Sequence, residues 1–560
     1  MKNEEVNEVL ARVLDGYATD DDRERILAWL RKNDEDRVDA AEQLIIDGLL
    51  GVILESEAKN DFHAKLKERL AGEKRNFFYR KIQDPLKNNA RWLALLLGPV
   101  LSVISWFGLW FGLQGGILAD PTLACWTGAV LVLCATWWIF EPIPIPATSL
   151  IPLAVFPLVG VLDEREVAAS YGHHLVMLFL SGFMLSKAME RSGAHKRLAL
   201  GMVKLIGGAG GRRLVFAFMV ASAGLSMWIS NTATALMLMP VAIAVIDQCR
   251  DRRLATPLLL GVAYAASIGG IATPIGTPPN AVFLAQADNL VSNGLMDSSP
   301  SFYDWMKLGL PVVFIMLPLS WLWLTRGKWP HVPLHMTGGE GVWRKAEIRV
   351  VTVFAITALL WITRSDPFGG WSQLLNIPTV KDSTVGLLAV VLLFILPTGD
   401  PDEKGQKLLD WDHAVAIPWG ILILFGGGIA IGQAFTTSGL SEALASNMSQ
   451  ISGLSTVAMI AVVAFGITFL TEVTSNTATA TVLMPLLAAT AVAAGIRPEI
   501  LMVPAAMSAS CAFMLPVATP PNAVVYAVGE FPIRRMVYEG FVLNLIGVLV
   551  ITGVCYWLLG

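Results

Sequence analysis

A short polar phrase occurs twice in this chain. Ser230-Asn231-Thr232-Ala233-Thr234-Ala235, running on to Met239-Pro240, returns as Ser475-Asn476-Thr477-Ala478-Thr479-Ala480, running on to Met484-Pro485. A second phrase follows each copy: Thr277-Pro278-Pro279-Asn280-Ala281-Val282, then Thr519-Pro520-Pro521-Asn522-Ala523-Val524. Upstream, Leu178-Phe179, Gly182, Ala188 and Ser192-Gly193 match Leu424-Phe425, Gly428, Ala434 and Ser438-Gly439. The three matches keep their order at offsets of 246, 245 and 242 residues. That regularity reads as internal duplication. Small polar motifs repeated inside apolar sequence point to one site assembled from two halves of a membrane protein.

The membrane setting follows from composition. Hydrophobic residues make up 54% of the 560 and charged residues 15%, against about 25% charged in ordinary soluble domains. Apolar segments near 92–110, 123–140, 148–161, 214–247, 257–271, 306–325, 350–364, 384–397, 457–495, 500–513 and 539–559 predict an all-α polytopic membrane protein with about eleven transmembrane helices. Cys125, Cys134, Cys249, Cys511 and Cys555 show no metal-ligand spacing and read as small hydrophobes.

Residues 1–90 differ from the rest: an acidic head, then a basic juxtamembrane segment. Thr19 can cap a helix carrying Ile26, Leu27 and Leu30, so a small N-terminal cytoplasmic helical segment is expected. No cleavable signal peptide is expected, because the N-terminus lacks an early apolar core. Lys65 to Arg91 are rich in Lys and Arg just before the first apolar run, which places the N-terminus in the cytoplasm. Beside a span, such a stretch indicates membrane lipid rather than nucleic acid as its neighbour. Residues 91–325 then hold the first span and first transmembrane repeat, 326–347 a polar linker, and 348–560 the second repeat.

Thr-Pro-Pro-Asn cannot lie within an unbroken helix, because two prolines remove donors and clash with the preceding turn. Irregular backbone at membrane depth is tolerated only inside protein or beside a wet cavity. Broken helices expose N–H ends that attract anions and C=O ends that attract cations. Ser226 precedes Ser230, and Thr471 precedes Ser475, by four residues, which predicts paired hydroxyls on one helix face. Neither motif contains Arg or Lys. An anion held there must be neutralised by helix ends and co-bound cations.

The paired motifs, with Glu141-Pro142-Ile143-Pro144, Thr148 and Leu150-Ile151-Pro152, closely resemble the divalent anion/sodium symporter family of di- and tricarboxylate and sulfate transporters. The resemblance covers about residues 92–560. It implies two inverted-topology repeats, re-entrant hairpins, an elevator mechanism and a homodimer. It also implies two or more sodium ions (Na+). One site would use Ser226, Ser230, Asn231 and the Gly276 carbonyl, the other Thr471, Ser475, Asn476 and the Ala518 carbonyl. A small dianionic substrate would meet Asn231, Thr232 and Thr277 from one half and Asn476, Thr477 and Thr519 from the other. Sodium-coupled symport of a C4 dicarboxylate (succinate, malate or fumarate) across a bacterial inner membrane is the function implied. Citrate or sulfate transport and sodium-independent exchange are the alternatives. No nucleophile–base pair marks an enzyme, and the seven histidines avoid both motifs. Glu472 is expected to be a structural partner, and Lys187 to pair with Glu190. His173 and His174 are adjacent and would not share a helix face, so no metal site is expected there.

Overall fold

The computed structural model describes residues 77–560, apart from 115–117, 119, 208–209, 250–251, 328–341, 366–368 and 448–454. The expected N-terminal head and the centre of the linker lie outside the described residues. Contacts divide the chain at Ala90/Arg91. The regular elements among the described residues are all helices, save for one isolated bridge between Pro397 and Lys407.

The first half comprises α1 (Phe77–Leu113), α2 (Thr122–Phe140), α3 (Ile151–Val159), α4 (Glu164–Tyr171), α5 (His174–Ser192), α6 (Ala194–Ile206), α7 (Gly211–Ser226), α8 (Asn231–Gln248), α9 (Ala255–Gly270), α10 (Pro278–Ser292) and α11 (Phe302–Leu324). The second comprises α12 (Lys345–Ile362), α13 (Asp382–Ile395), α14 (Trp419–Thr437), α15 (Leu440–Asn447), α16 (Thr456–Leu470), α17 (Asn476–Ala493), α18 (Glu499–Ala509), α19 (Pro520–Ala527) and α20 (Ile533–Leu559). Seven helices among the described residues are long and apolar enough to cross a membrane. The helices around the motifs are mostly shorter, because each motif breaks one run into two.

Matching sequence makes matching elements. Helices α5 and α14 have 19 residues each and α8 and α17 have 18. Gly193 and Gly439 follow α5 and α14 at φ +76° and +74°, a conformation that favours glycine. Neighbours match as well: α7 packs on α9 and α11, as α16 packs on α18 and α20.

The chain reverses at each Ser-Asn-Thr. Gly269, near the end of α9, lies against the Ala223 backbone near the end of α7, where a Cβ would come within 2.3 Å of the Ala223 carbonyl oxygen. Gly270 adjoins Asn231 at the start of α8. Helices α7 and α9 therefore run the same way and α8 runs against both, so α7 and α8 form a hairpin. The apolar segment read at 214–247 is therefore two antiparallel helices joined by a turn. Residues 227–230 are a turn, and both arms gain burial by packing along α9.

One apolar core joins residues of α5 through α14 and α16 through α20, and a smaller one seats α2, α3 and α4 on α14 and α15. Buried Glu539 ties the end of α11 to α20, accepting from Arg326 at 2.7 and 2.8 Å and pairing with Arg535 at 2.7 Å. The expected Lys187–Glu190 pair forms at 2.7 Å.

Candidate functional site

The four breaks bring helix ends of both polarities together. Helices α7, α9, α16 and α18 end at the motifs, and α8, α10, α17 and α19 begin there. The halves interlock: α8 packs on α19, and α17 on α10. At the centre the Ser510 hydroxyl donates to the Thr277 hydroxyl at 3.3 Å, joining one half's Thr-Pro-Pro-Asn to the other half's break.

Each Ser-Asn-Thr builds the same small construction. Ser226 donates to Asn231 Oδ1 at 2.5 Å, and Thr471 donates to Asn476 Oδ1 at 2.6 Å. Thr471 Oγ1 also contacts the Ala509 carbonyl at 3.0 Å. Ser230 and Ser475 accept from the backbone N–H groups of Ala233 and Ala478 at 3.3 and 3.5 Å, capping α8 and α17. The expected shared helix face is not what joins these hydroxyls. Helices α7 and α16 stop at Ser226 and Leu470, so helical spacing no longer applies, and the upstream hydroxyl meets the Asn instead. Asn231, Thr232, Asn476 and Thr477 are half-buried, whereas Thr277 and Thr519 are buried.

Each Thr-Pro-Pro-Asn repeats its own pattern. Asn280 Nδ2 donates to the carbonyls of Gly270 (3.0 Å) and Thr273 (2.7 Å), with Ile271 at 3.4 Å. Asn522 Nδ2 donates to those of Ala512 (2.9 Å) and Leu515 (3.1 Å), the same positions 242 residues on. The turns close alike: Gly276 N donates to Thr273 O at 3.3 Å, and Ala518 N to Leu515 O at 3.2 Å. The proline pair at each helix start supplies no N–H. Free donors for an anion are thus concentrated at the starts of α8 and α17.

The donor set suits a small hard cation. A Cβ on Gly270 would lie 3.0 Å from both Asn231 Oδ1 and the Gly276 carbonyl, so two of the expected ligands border one small space. Asn280 Oδ1 and Asn522 Oδ1 are buried with no hydrogen-bond partner among the described residues. Each break therefore has acceptors in excess, an imbalance that a cation relieves.

Glu472 serves the second break alone. Its Oε1 accepts from the N–H groups of Phe513 (2.7 Å) and Met514 (2.9 Å) and from Asn544 Nδ2 (2.8 Å), and its Oε2 from Leu515 N (3.1 Å). The structural role expected of it is what it performs. Its equivalent in the first half is Met227, whose carbonyl accepts from the Thr273 hydroxyl. Sequence reasoning missed Asn544, Ser510 and the stapling role of Asn280 and Asn522. Of these, only the two asparagines carried a signal, through their place in the repeat.

Residues 135–502 match a family described as citrate transporter. The chain belongs to this family. That bears out the resemblance drawn from the paired motifs. The chain is 38% identical over 503 residues to a protein named sodium-dependent dicarboxylate transporter SdcS from Staphylococcus saprophyticus, covering 86% of this chain and 94% of that one. A Staphylococcus aureus protein of the same name is 37% identical over 508 residues, with the same coverage. Among solved structures, the Alcanivorax borkumensis YdaH transporter, described as having an unusual topology, aligns with a TM-score of 0.52 at 14% identity, over 70% of this chain and 87% of that one. That likeness speaks for the fold alone. With seven long apolar helices among its described residues, this member of the citrate transporter family is an integral membrane protein.

Proposed function

We propose that this chain is a secondary transporter that carries a C4 dicarboxylate (succinate, malate or fumarate) into the cell together with sodium. The observation that carries the reading is the twice-built pair of a hydroxyl and an Asn carbonyl oxygen beside a broken helix, with no Lys or Arg in either motif. One sodium would lie among Ser226, Ser230, Asn231 and the Gly276 carbonyl. The second would lie among Thr471, Ser475, Asn476 and the Ala518 carbonyl. Sodium supplies the positive charge that this chain's side chains lack. Asn231, Thr232, Thr277, Asn476, Thr477 and Thr519 then orient the two carboxylates between the N-terminal ends of α8 and α17. The relatives' names support sodium and a dicarboxylate.

Motion follows from the same logic. A site held between two hairpins related by inverted topology opens to either side as a rigid unit moves, in an elevator cycle within a homodimer. The N-terminus is cytoplasmic by the Lys/Arg bias before the apolar run at Trp92, and the membrane is the bacterial inner membrane, in keeping with the bacterial sources of the relatives. Nothing in the reading calls for an enzyme.

Uptake of labelled succinate into proteoliposomes tests this, with an inward sodium gradient and with potassium in its place. Equal uptake in potassium would refute symport and favour exchange. Citrate is the second reading, favoured by the description of the matched family. Competition by citrate or sulfate stronger than by malate would overturn the C4 assignment.

A further inference from the structure

His173 and His174 were expected not to share a helix face, and the structure shows why that expectation misleads. His173 is not in α5 but caps it, in an extended conformation with φ −59° and ψ 144°. Its ring therefore leaves the helical wheel and comes to lie 4.4 Å from that of His174, centroid to centroid. Both rings turn Nε2 toward one carboxylate oxygen of α10. His174 Nε2 is 3.1 Å and His173 Nε2 3.9 Å from Asp288 Oδ2. That oxygen is buried and makes no hydrogen bond of good geometry. One ligand atom from each residue lies within 4.8 Å of the others.

We propose that His173, His174 and Asp288 form a binding site for a first-row transition metal, zinc above all, distinct from the sodium sites. Two imidazoles and one carboxylate are a donor set that zinc takes with a fourth position left to water. Ligand atoms about 2.0–2.2 Å from a tetrahedral ion lie roughly 3.3 Å apart. Two of the observed separations, 3.1 and 3.9 Å, are already close to that. The side chains keep 21%, 29% and 14% of their surface exposed, so an ion can enter. Binding through Nε2 needs the proton on Nδ1, so His173 would release the long 3.4 Å contact by which Nδ1 caps Leu175 N. That contact is weak and its loss is a small opposing cost. Asp382 is already paired with Arg364 and is not a ligand.

The consequence lies in which helices the ion would join. Helix α5 packs mainly on α12 and α13, whereas α10 packs on the motif helices α17 and α18; both also touch α14 and, lightly, each other. Beside the cluster, α5 and α10 are separated by an apolar crevice lined by Leu175, Val176, Val282 and Ala285. A metal at this point staples the motif-bearing helices to the flanking ones. Resting on the proposed transport cycle, zinc then inhibits uptake by holding the present arrangement.

The purified protein, stripped with a chelator, is titrated with zinc and the bound metal counted. One tightly held zinc per chain is expected, with X-ray absorption showing two imidazole nitrogens and one carboxylate oxygen. The His173→Gln/His174→Gln double variant and Asp288→Asn should each bind at least about tenfold more weakly. No stoichiometric zinc, a different ligand set, or equal binding by both variants would overturn the site. In proteoliposomes, zinc should inhibit wild-type uptake reversibly by chelator and spare the double variant. Stoichiometric zinc without inhibition would overturn the staple. Because binding is measured without transport, failure of the site and failure of the proposed function give different results.

Discussion

Gly270→Ala probes the first cation site with a single methyl group. The new Cβ would sit 3.0 Å from Asn231 Oδ1, 3.0 Å from the Gly276 carbonyl and 3.3 Å from Thr277 Cβ. Ordinary van der Waals contact begins at about 3.4 Å, so each oxygen must recede by roughly a few tenths of an ångström. Overpacking of this kind costs about 1–3 kcal/mol. At a helix end the better propensity of alanine returns at most about 1 kcal/mol. Overall stability should therefore fall by no more than about 3 kcal/mol, and by less where the propensity of alanine offsets the strain. The strain falls on two expected sodium ligands and on the Cβ of Thr277, an expected substrate ligand. At about 1.4 kcal/mol per tenfold, the sodium concentration for half-maximal uptake should rise about 5- to 100-fold. The assay is succinate uptake against sodium concentration, with thermal unfolding of the same preparation in parallel. The equivalent position in the second half is Ala512, which already carries a methyl group, so Ala512→Gly serves as a control and should shift the sodium dependence only slightly. Unchanged sodium dependence in Gly270→Ala, with the protein folded, would refute the placement of the first ion.

Asn231→Ala and Asn476→Ala should each abolish sodium-dependent uptake in a folded protein, measured in the same liposomes; near-normal transport in either would displace the site. Asn280→Ala frees the carbonyls of Gly270 and Thr273 and leaves buried polar groups unpaired, at about 1–3 kcal/mol each. Its midpoint of thermal unfolding should fall clearly below wild type. Glu472→Gln keeps one acceptor oxygen but sets an amide against Leu515 N–H, losing a charged hydrogen bond worth about 1.5–3 kcal/mol. The expected result is a raised sodium requirement with substrate selectivity intact, read from uptake with succinate and citrate.

Much of the site was legible before any coordinates. The offsets of 245 and 242 residues became helices of equal length and hydrogen bonds at equivalent positions. Proline pairs and glycines act on their own backbone, so Thr-Pro-Pro-Asn announced a break wherever it was placed. Arguments from helical angle failed at Ser230 and His173, because each lies just outside a helix, where the 100° step has no meaning.

The sequence by itself determined the membrane setting, the duplication, the four interruptions and the absence of a fixed positive charge in the motifs. These are local or compositional properties, carried by residue types and their spacing. Tertiary structure alone decided that Glu472 reaches Phe513 and Asn544, 41 and 72 residues away, and that Ser510 meets Thr277 across 233. It also decided that His173 and His174 face Asp288. Such contacts come from how helices pack, and packing depends on whole apolar faces, so no single residue's sequence neighbourhood encodes them.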